Sequence, residues 1–335
     1  MNYFKIKRVS NSSLSYINPD QDGSANKYKQ YIDGVLPRES SASLELGDLV
    51  HKYMLEPENF NVLEMNKPSE SIVSIVDYVI ESVHQDNLDS SGGDLSKFDA
   101  MITEGADMIK YGQNWKDTTI VNKVVTMGQE YFKFVLTSKD KQIIDTSTAY
   151  RLQECVISLQ AHKGAQKLLN DNDDKAVKAF NELSINWEKE IDGYTHKCKS
   201  KIDRLIINTE KKTFTVVDLK TLSKHISKYP KSFSYWHTGR QVAFYEDAAK
   251  AWLNENGYIN YKPSKNHYIV AVMTTDPYLT RVFSVAHEHI FAGRTEYYSL
   301  LDRVRFHTES NDWVFEMEYQ QGKLAWEIPF ENIEI

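Results

Sequence analysis

Two carboxylates and a lysine lie close together near the middle of the sequence, in Lys201-Ile202-Asp203-Arg204 and Val216-Val217-Asp218-Leu219-Lys220-Thr221. Both segments have the composition of β-strands, and a short polar turn separates them. Alternate side chains of a strand share a face, so Asp218 and Lys220 point the same way, and hairpin pairing would bring Asp203 beside them. The pattern predicts a site for a divalent cation and the water that it activates.

The strands that would position these residues follow residue 175, where alternating polarity replaces helical spacing. An extended run through Glu182 leads to Asp192-Gly193, a strong hairpin signal. In the next run, from Tyr194 to Ile207, four charged side chains fall on one face: Lys197, Lys199, Lys201 and Asp203. A row of ammonium groups that ends at a carboxylate predicts contact with a polyanion. The alternative is a solvent-exposed strand face whose lysines oppose edge aggregation.

Helical patterns dominate the first half of the chain. The segment from Ser43 to Leu55 has apolar residues at approximate helical spacing, with His51 on or beside the apolar face. A lone histidine in that setting is more often a core residue than a ligand. Residues 61–175 are mainly helical in pattern, apart from a loop composition at Asp86–Ser96.

Beyond Thr221 the sequence predicts a loop, a helix, two strands and a long helix over about residues 288–308. Gln241 and Tyr245 fall on one stripe of the first of these helices. The loop before it is both basic and aromatic, with the residues Lys224, His225, Lys228, Tyr229, Lys231, Phe233, Tyr235, Trp236 and His237.

Composition limits the class of protein. The chain has 335 residues, and 41% of them are hydrophobic, which is enough for a packed core. No apolar run reaches membrane-spanning length, and two cysteines, Cys155 and Cys198, are too few for a disulfide framework or a four-cysteine metal site. We therefore expect a soluble cytoplasmic protein that makes no use of a membrane, from a bacterium or a phage-infected host cell.

Charge is distributed unevenly along the chain. The net charge is −7, but the segment from His196 to Arg240 has eleven Lys or Arg and three Asp or Glu, which gives +8 there and −15 elsewhere. A basic stretch around clustered carboxylates predicts a local polyanion site within an acidic protein. A solvated charged face is the alternative.

These motifs occur in an order that resembles a known superfamily. A Gly-x-x-x-His helix (Gly47 to His51) precedes Ile-Asp-Arg, Asp-Leu-Lys-Thr and a helix with Gln-x-x-x-Tyr (Gln241 to Tyr245). From about Ser41 to Thr308 the chain resembles the PD-(D/E)xK nucleases. It looks most like the RecE-type exonuclease VIII and phage exonuclease branch, which is related to lambda exonuclease and the RecB nuclease domain.

The resemblance implies an α/β (α+β) fold, with a restriction-endonuclease-like core in which helices flank a mixed central sheet. It implies a single nuclease domain over residues 1–335. Its core would comprise about residues 41–60 and 176–310, with a large helical insertion at about 61–175 and a C-terminal extension at 311–335.

The resemblance also implies roles for individual residues. Asp203 and Asp218 match the acidic metal ligands, the backbone carbonyl of Leu219 would complete the coordination, and His51 matches a histidine that approaches the metal. Glu182 fits the additional acid, although Glu188 and Glu190 compete with it. Lys220 matches the lysine that orients or deprotonates the attacking water, and Gln241 and Tyr245 match the helix that borders the site. The residues expected to contact DNA are Lys197, Lys199, Lys201, Arg204, Lys224 and Arg240.

The implied activity is hydrolysis of DNA from duplex ends in recombination, repair or phage DNA metabolism, with one or two Mg²⁺ ions for which Mn²⁺ substitutes. The resemblance also implies a recombinase or single-strand annealing protein as a partner and a homo-oligomeric ring. It further implies a cytoplasmic location in a bacterial or phage-infected host cell. Three alternatives stay open: a DNA endonuclease of the same fold, a DNA-binding recombination factor without turnover, and a structural metal site with no nucleic acid.

Overall fold

The computed structural model describes residues 3, 6–36, 41–138, 141–170 and 174–322, and it divides into two compact units. One unit is Met1–Glu56 with Cys155–Ile335, and the other is Pro57–Glu154.

The helices are α1 (Asn11–Ser15), α2 (Ala25–Asp33), α3 (Ala42–Leu55), α4 (Glu70–Ser82), α5 (Gln85–Ser90), α6 (Asp99–Met108), α7 (Asp117–Ser138), α8 (Thr146–Ala161), α9 (Lys163–Leu169), α10 (Tyr229–Tyr235), α11 (Thr238–Glu255), α12 (His287–Ser310) and α13 (Met317–Gln320). The strands are β1 (Val62–Glu64), β2 (Gln142–Ile144), β3 (Val177–Ile191), β4 (Tyr194–Asn208), β5 (Thr213–Leu222), β6 (Lys262–Pro263), β7 (His267–Met273) and β8 (Thr280–Val285).

A mixed sheet of six strands forms the centre of the larger unit, in the order β3-β4-β5-β7-β8, with β6 beside β5. Strands β3 and β4 form a long hairpin at the predicted turn, where Asp192 and Gly193 both have positive φ, of 49° and 76°. Strands β5 and β7 are parallel, so the chain crosses between them through α10 and α11. This confirms the predicted α/β core with a mixed sheet flanked by helices.

The core of this unit lies between the sheet and two long helices. Helix α11 packs on β3, β4 and β5, and α12 packs on α11. Phe244 of α11 is fully buried, with its ring centroid 4.9 Å from that of Trp187 on β3 and 5.3 Å from that of Tyr297 on α12. This packing fixes the side of α11 that faces β5, where the predicted site residues lie.

The amino-terminal segment belongs to the same core. Val9 exchanges backbone hydrogen bonds with Lys197 and Lys199 of β4, at 3.0 and 2.7 Å, and Leu14 and Ile17 are fully buried. The sequence does not indicate that this segment joins the core, because polar and turn-forming residues surround its few apolar residues.

The smaller unit is mainly helical. Its core includes Ile72 and Val76 of α4 and Phe132 of α7, and β1 and β2 pair in parallel. The predicted loop at Asp86–Ser96 is wrong in part, because α5 begins at Gln85 and a 3₁₀-helix covers Leu95–Phe98. Leu88 and Leu95 are buried in this core, so packing overrides the loop-forming composition.

Among the residues described, no helix is both long enough and apolar enough to cross a lipid bilayer.

Candidate active site

The predicted acids lie at a fork in the sheet. The pairing of β4 with β5 ends at the pair Arg204–Val217. Asp203 and Asp218 occupy the next position along the two strands. Beyond that point β5 continues beside β7. The side chain of Asp203 bridges the opening, because its Oδ2 accepts a hydrogen bond from the backbone N–H of Leu219 at 2.8 Å. Opposed residues of neighbouring strands share a face, so the fork brings the two carboxylates together.

Glu182 joins the same site through a distortion of β3. The pairing of β3 with β4 passes from Asn181–Arg204 to Leu183–Ile202, so Glu182 lies opposite Asp203 but outside the hydrogen-bonded ladder. Its φ is +47°, in the left-handed region that glutamate rarely adopts. Such strain costs on the order of 1–3 kcal/mol and occurs often at functional sites.

Glu188 and Glu190, which competed with Glu182 in the sequence, lie farther along the same strand. Both are exposed, and at about 3.3 Å per residue Glu188 is about 20 Å from Glu182. The structure therefore brings Glu182 to Asp203 and leaves the other two glutamates apart.

Asp218 is 1% exposed and surrounded by donors. Its Oδ1 accepts hydrogen bonds from Lys220 Nζ and Gln241 Nε2, each at 3.0 Å. Its Oδ2 is 2.8 Å from Lys220 Nζ, an ion pair without hydrogen-bond alignment. Gln241 Nε2 is also 3.2 Å from the hydroxyl of Tyr245, one helical turn later. The predicted motif of α11 thus reaches the acid through Gln241, with Tyr245 behind it.

His51 reaches the site from α3. Its Nε2 is 2.8 Å from the carbonyl oxygen of Leu219, and because a carbonyl only accepts, Nε2 carries the proton. Its Nδ1 then faces Glu182 Oε1 at 3.5 Å and Asp203 Oδ2 at 3.8 Å. The expectation that Leu219 and His51 lie at the acids agrees with this geometry, with the histidine on the carbonyl itself.

Gly47 allows this approach. A Cβ added to Gly47 would lie 2.9 Å from Thr221 Oγ1, closer than side chains pack. Gly47 and His51 are four residues apart and so share a face of α3. Close approach of the helix at Gly47 therefore brings His51 to Leu219, two residues before Thr221 on β5.

Burial and the neighbouring charges together shift the pKa values of three groups within the site. Burial, followed by the charge of Asp218, raises the pKa of Asp203 to about 6. Burial alone would lower the pKa of His51, but the charge of Asp203 and the contact with Glu182 outweigh it and raise that pKa. Burial likewise opposes protonation of Lys220, yet the charges of Asp218 and Asp203 raise its pKa, so Lys220 is an ammonium group at neutral pH.

The donor atoms suit a hard divalent cation. One ligand atom each from His51, Glu182 and Asp203 lies within 4.8 Å of the others. The buried Oδ2 of Asp218 has no hydrogen bond, which leaves a lone pair for a cation. Carboxylate and carbonyl oxygens fit Mg²⁺ or Mn²⁺, so Glu182, Asp203, Asp218 and the Leu219 carbonyl are the residues that would hold it.

The structure corrects three of the six expected DNA contacts. Lys199 is buried, and its Nζ donates to the carbonyl oxygens of Tyr3 and Ile6. Arg204 is 2% exposed and donates to Asn181 and to the carbonyl of Asn170. Buried guanidinium and ammonium groups that hold protein oxygens are not available to a phosphate.

Arg240 is the third correction. It is 1% exposed and donates to Asn11, Ser15 and Glu296, which ties α11 to α1 and α12. Among the other three, Lys201 forms an ion pair with Glu182 inside the site, whereas Lys197 and Lys224 are exposed. Strand alternation identified the lysine row but could not distinguish exposed lysines from those covered by the amino-terminal segment.

Sequence reasoning missed Tyr229 as a neighbour of the site. Its side chain is 4% exposed, and burial followed by the nearby charge of Asp218 raises its pKa. A tyrosine soon after the Asp-Leu-Lys strand was the available signal, but the whole segment had been predicted as a loop.

One protein family has a model that matches most of the chain. The model of a family described as a PDDEXK-like domain of unknown function (DUF3799) matches residues 12–314, about nine-tenths of the chain. The chain belongs to this family. Membership in this PDDEXK-like family confirms the predicted PD-(D/E)xK superfamily and makes the chain a nuclease-type domain.

Solved structures similar to this PDDEXK-like chain are distant. A candidate exonuclease from Eubacterium rectale aligns with a TM-score of 0.47 and 9% identity, over 97% of this chain and 91% of that one. The protein SSO0001 aligns with a TM-score of 0.24 and 12% identity, over 76% of this chain and 84% of that one. No curated protein matches the sequence.

Proposed function

We propose that the protein is a metal-dependent DNA exonuclease of the RecE type that hydrolyses phosphodiester bonds at duplex ends. The observation that carries the proposal is the convergence of Glu182, Asp203, Asp218 and Lys220 at one fork of the sheet. Phosphodiester hydrolysis needs a bound cation and a positive charge close to the phosphate. The three carboxylates could bind the cation, and the ammonium group of Lys220 could lie against the phosphate.

The chain's own residues would share the work as follows. Glu182, Asp203, Asp218 and the Leu219 carbonyl hold the cation. Bound Mg²⁺ or Mn²⁺ supplies Lewis-acid stabilisation of charge on the phosphate and lowers the pKa of water. Lys220 would supply a positive charge that donates to a phosphate oxygen or orients the attacking water.

Gln241 and Tyr245 are positioning residues in this scheme. Gln241 donates to Asp218 Oδ1, the same oxygen that Lys220 contacts, so it helps to fix the carboxylate that aligns the lysine. Burial raises the pKa of Tyr245, and its hydroxyl therefore stays protonated behind Gln241.

DNA is the proposed partner, with Lys197 and Lys224 as exposed cations near its path. The ring assembly, the recombinase or annealing partner and the cytoplasmic location remain predictions from the resemblance. A structural metal site without nucleic acid is disfavoured, because a site that only holds a metal has no need of a partly exposed Lys220 paired with the buried Asp218.

The test uses end-labelled linear duplex and covalently closed circular DNA, each incubated with Mg²⁺, Mn²⁺ or EDTA. We expect metal-dependent shortening of the linear duplex and an intact circle. Cleavage of the circle would instead favour an endonuclease of the same fold, and salt-sensitive binding without any hydrolysis would favour a non-catalytic recombination factor.

A further inference from the structure

A basic and aromatic segment, Ser223–His237, follows the candidate active site directly. It contains three lysines and no aspartate or glutamate, and Lys224, Lys228 and Lys231 are all exposed. Exposed cations without carboxylates attract a phosphate backbone, and aromatic side chains among them can stack on bases. This charge distribution favours a nucleic acid over a protein as the occupant of the segment's surface.

The four aromatic side chains of the segment divide into an inner and an outer pair. The inner pair packs on the fold: the ring centroid of Tyr229 is 4.8 Å from that of Phe283, and that of Phe233 is 5.1 Å from that of His289. The outer pair, Tyr235 and Trp236, is 70% and 65% exposed. The core therefore explains the inner pair but not the outer one.

Tyr235 and Trp236 also order each other. Their ring centroids are 4.8 Å apart at an interplanar angle of 86°, an edge-to-face contact that keeps one aromatic face open. His237, which follows them, has a left-handed φ of 50°, and its Nδ1 is 2.8 Å from Glu296 Oε1. The outer pair is thus attached to a fixed turn.

Tyr229 within the segment and Gln241 shortly after it connect the segment to Asp218. Tyr229, at the start of α10, is near enough to Asp218 and Lys220 for their charges to contribute, after burial, to the shift of its pKa. Gln241, in the first turn of α11, donates to Asp218 at 3.0 Å. From Tyr229 to Tyr235 a helix advances about 9 Å. That distance matches about three stacked nucleotides at about 3.4 Å each.

We propose that Tyr235 and Trp236 form a stacking platform for unpaired nucleotides of the DNA strand whose phosphate lies at Asp218 and Lys220. Lys224, Lys228 and Lys231 would hold the backbone of that strand. The platform takes any base, because every base has a π-face, and it gives preference to substrates with a single-stranded end over blunt duplexes. The inference rests on the proposed function for the identity of the substrate.

The test measures binding in EDTA, so that it does not depend on hydrolysis. The full-length protein is titrated into a fluorescently labelled oligothymidylate and, separately, into a labelled blunt duplex, and anisotropy is recorded. The variants are the double substitution Tyr235→Ala/Trp236→Ala, the conservative Trp236→Phe, and Tyr319→Ala as a control. Tyr319 is 68% exposed, which matches Tyr235, and belongs to α13.

We expect the double variant to bind the oligothymidylate at least about tenfold more weakly, and the blunt duplex less than about threefold more weakly. Trp236→Phe and Tyr319→Ala should stay within about twofold of the unsubstituted protein, because phenylalanine retains a stacking face. Unchanged single-strand affinity, an equal loss on the duplex, or no single-strand binding by the unsubstituted protein would each overturn the proposal. A protein that passes this test but never hydrolyses DNA would keep the platform and lose the proposed nuclease function.

Discussion

His51 donates a hydrogen bond from Nε2 to the carbonyl oxygen of Leu219, with 2.8 Å between the two atoms. The carbonyl is a predicted metal ligand, and the other ring nitrogen faces the carboxylates of Glu182 and Asp203. An imidazolium at this place and a bound cation therefore compete for the same oxygens. In the proposed function, His51 would therefore act on the cation through its charge as well as through any direct bond.

Metal binding should consequently release a proton from His51. Although burial opposes it, the charge of Asp203 and the contact with Glu182 raise the pKa of His51, so its ring loses its proton at a higher pH than a free imidazole does. We expect Mn²⁺ affinity, measured by calorimetry, to increase as pH rises through the titration of His51. His51→Gln should flatten that increase. Equal pH slopes for the two proteins would show that His51 is not the competing charge.

Asp203→Asn should stabilise the protein in EDTA. The folded-state pKa of Asp203 is raised to about 6, so the folded protein holds this proton more tightly than the unfolded chain does. The stability that the proton contributes is present at low pH and lost as pH rises through about 6. At pH 8 the amide should therefore add on the order of 2 kcal/mol to the free energy of unfolding, and at pH 4 almost nothing. Thermal unfolding at both pH values provides the measurement, and a loss of stability at pH 8 would contradict the expectation.

Gly47→Ala should impair hydrolysis although alanine favours helices. The new Cβ would meet Thr221 Oγ1 at 2.9 Å, and relief of that contact moves α3, and His51 with it, away from Leu219. We expect at least about a tenfold fall in kcat/KM, since displacements of about 1 Å at a catalytic site have effects of this size. The double variant Gly47→Ala/Thr221→Ala removes the clash and should recover most of the rate. Failure of that rescue would mean that the close approach at Gly47 does not position His51.

Arg240→Ala should destabilise the fold without weakening DNA binding by the folded protein. Its guanidinium is 1% exposed and hydrogen-bonds the half-buried Asn11, Ser15 and Glu296, so removal breaks three charge-assisted hydrogen bonds that join α11 to α1 and α12. We expect a loss on the order of 2–3 kcal/mol, since a hydrogen bond to a charged group contributes about 1.5–3 kcal/mol. Urea unfolding and DNA titration well below the unfolding transition separate the two effects. Lys224→Ala is the matched control, with lower DNA affinity and unchanged stability; the reverse pattern would restore Arg240 as a DNA contact.

Alternating side chains, the Asp-Gly turn and helical spacing predicted the sheet and most helices, because each depends on local chemistry. The same local signals brought together Asp203, Asp218 and Lys220, which lie on adjacent strands. The role of Glu182 depends on a left-handed backbone within a strand, and periodicity contains no sign of it. Burial of Lys199 depends on Val9 and its neighbours, which pair with β4 from 190 residues away in the sequence, a contact that strand alternation cannot predict.

The most direct test of the active site compares Mg²⁺-dependent hydrolysis of end-labelled linear duplex by the unsubstituted protein, by Asp218→Asn and by Lys220→Met. Both substitutions preserve approximate size, and circular dichroism checks the fold. We expect metal-dependent release of label by the unsubstituted protein and a fall of at least about 10³-fold in each variant, because each substitution removes a charge that acts on the phosphate or its cation. Hydrolysis that survives either substitution would contradict the assignment of this fork as the catalytic centre.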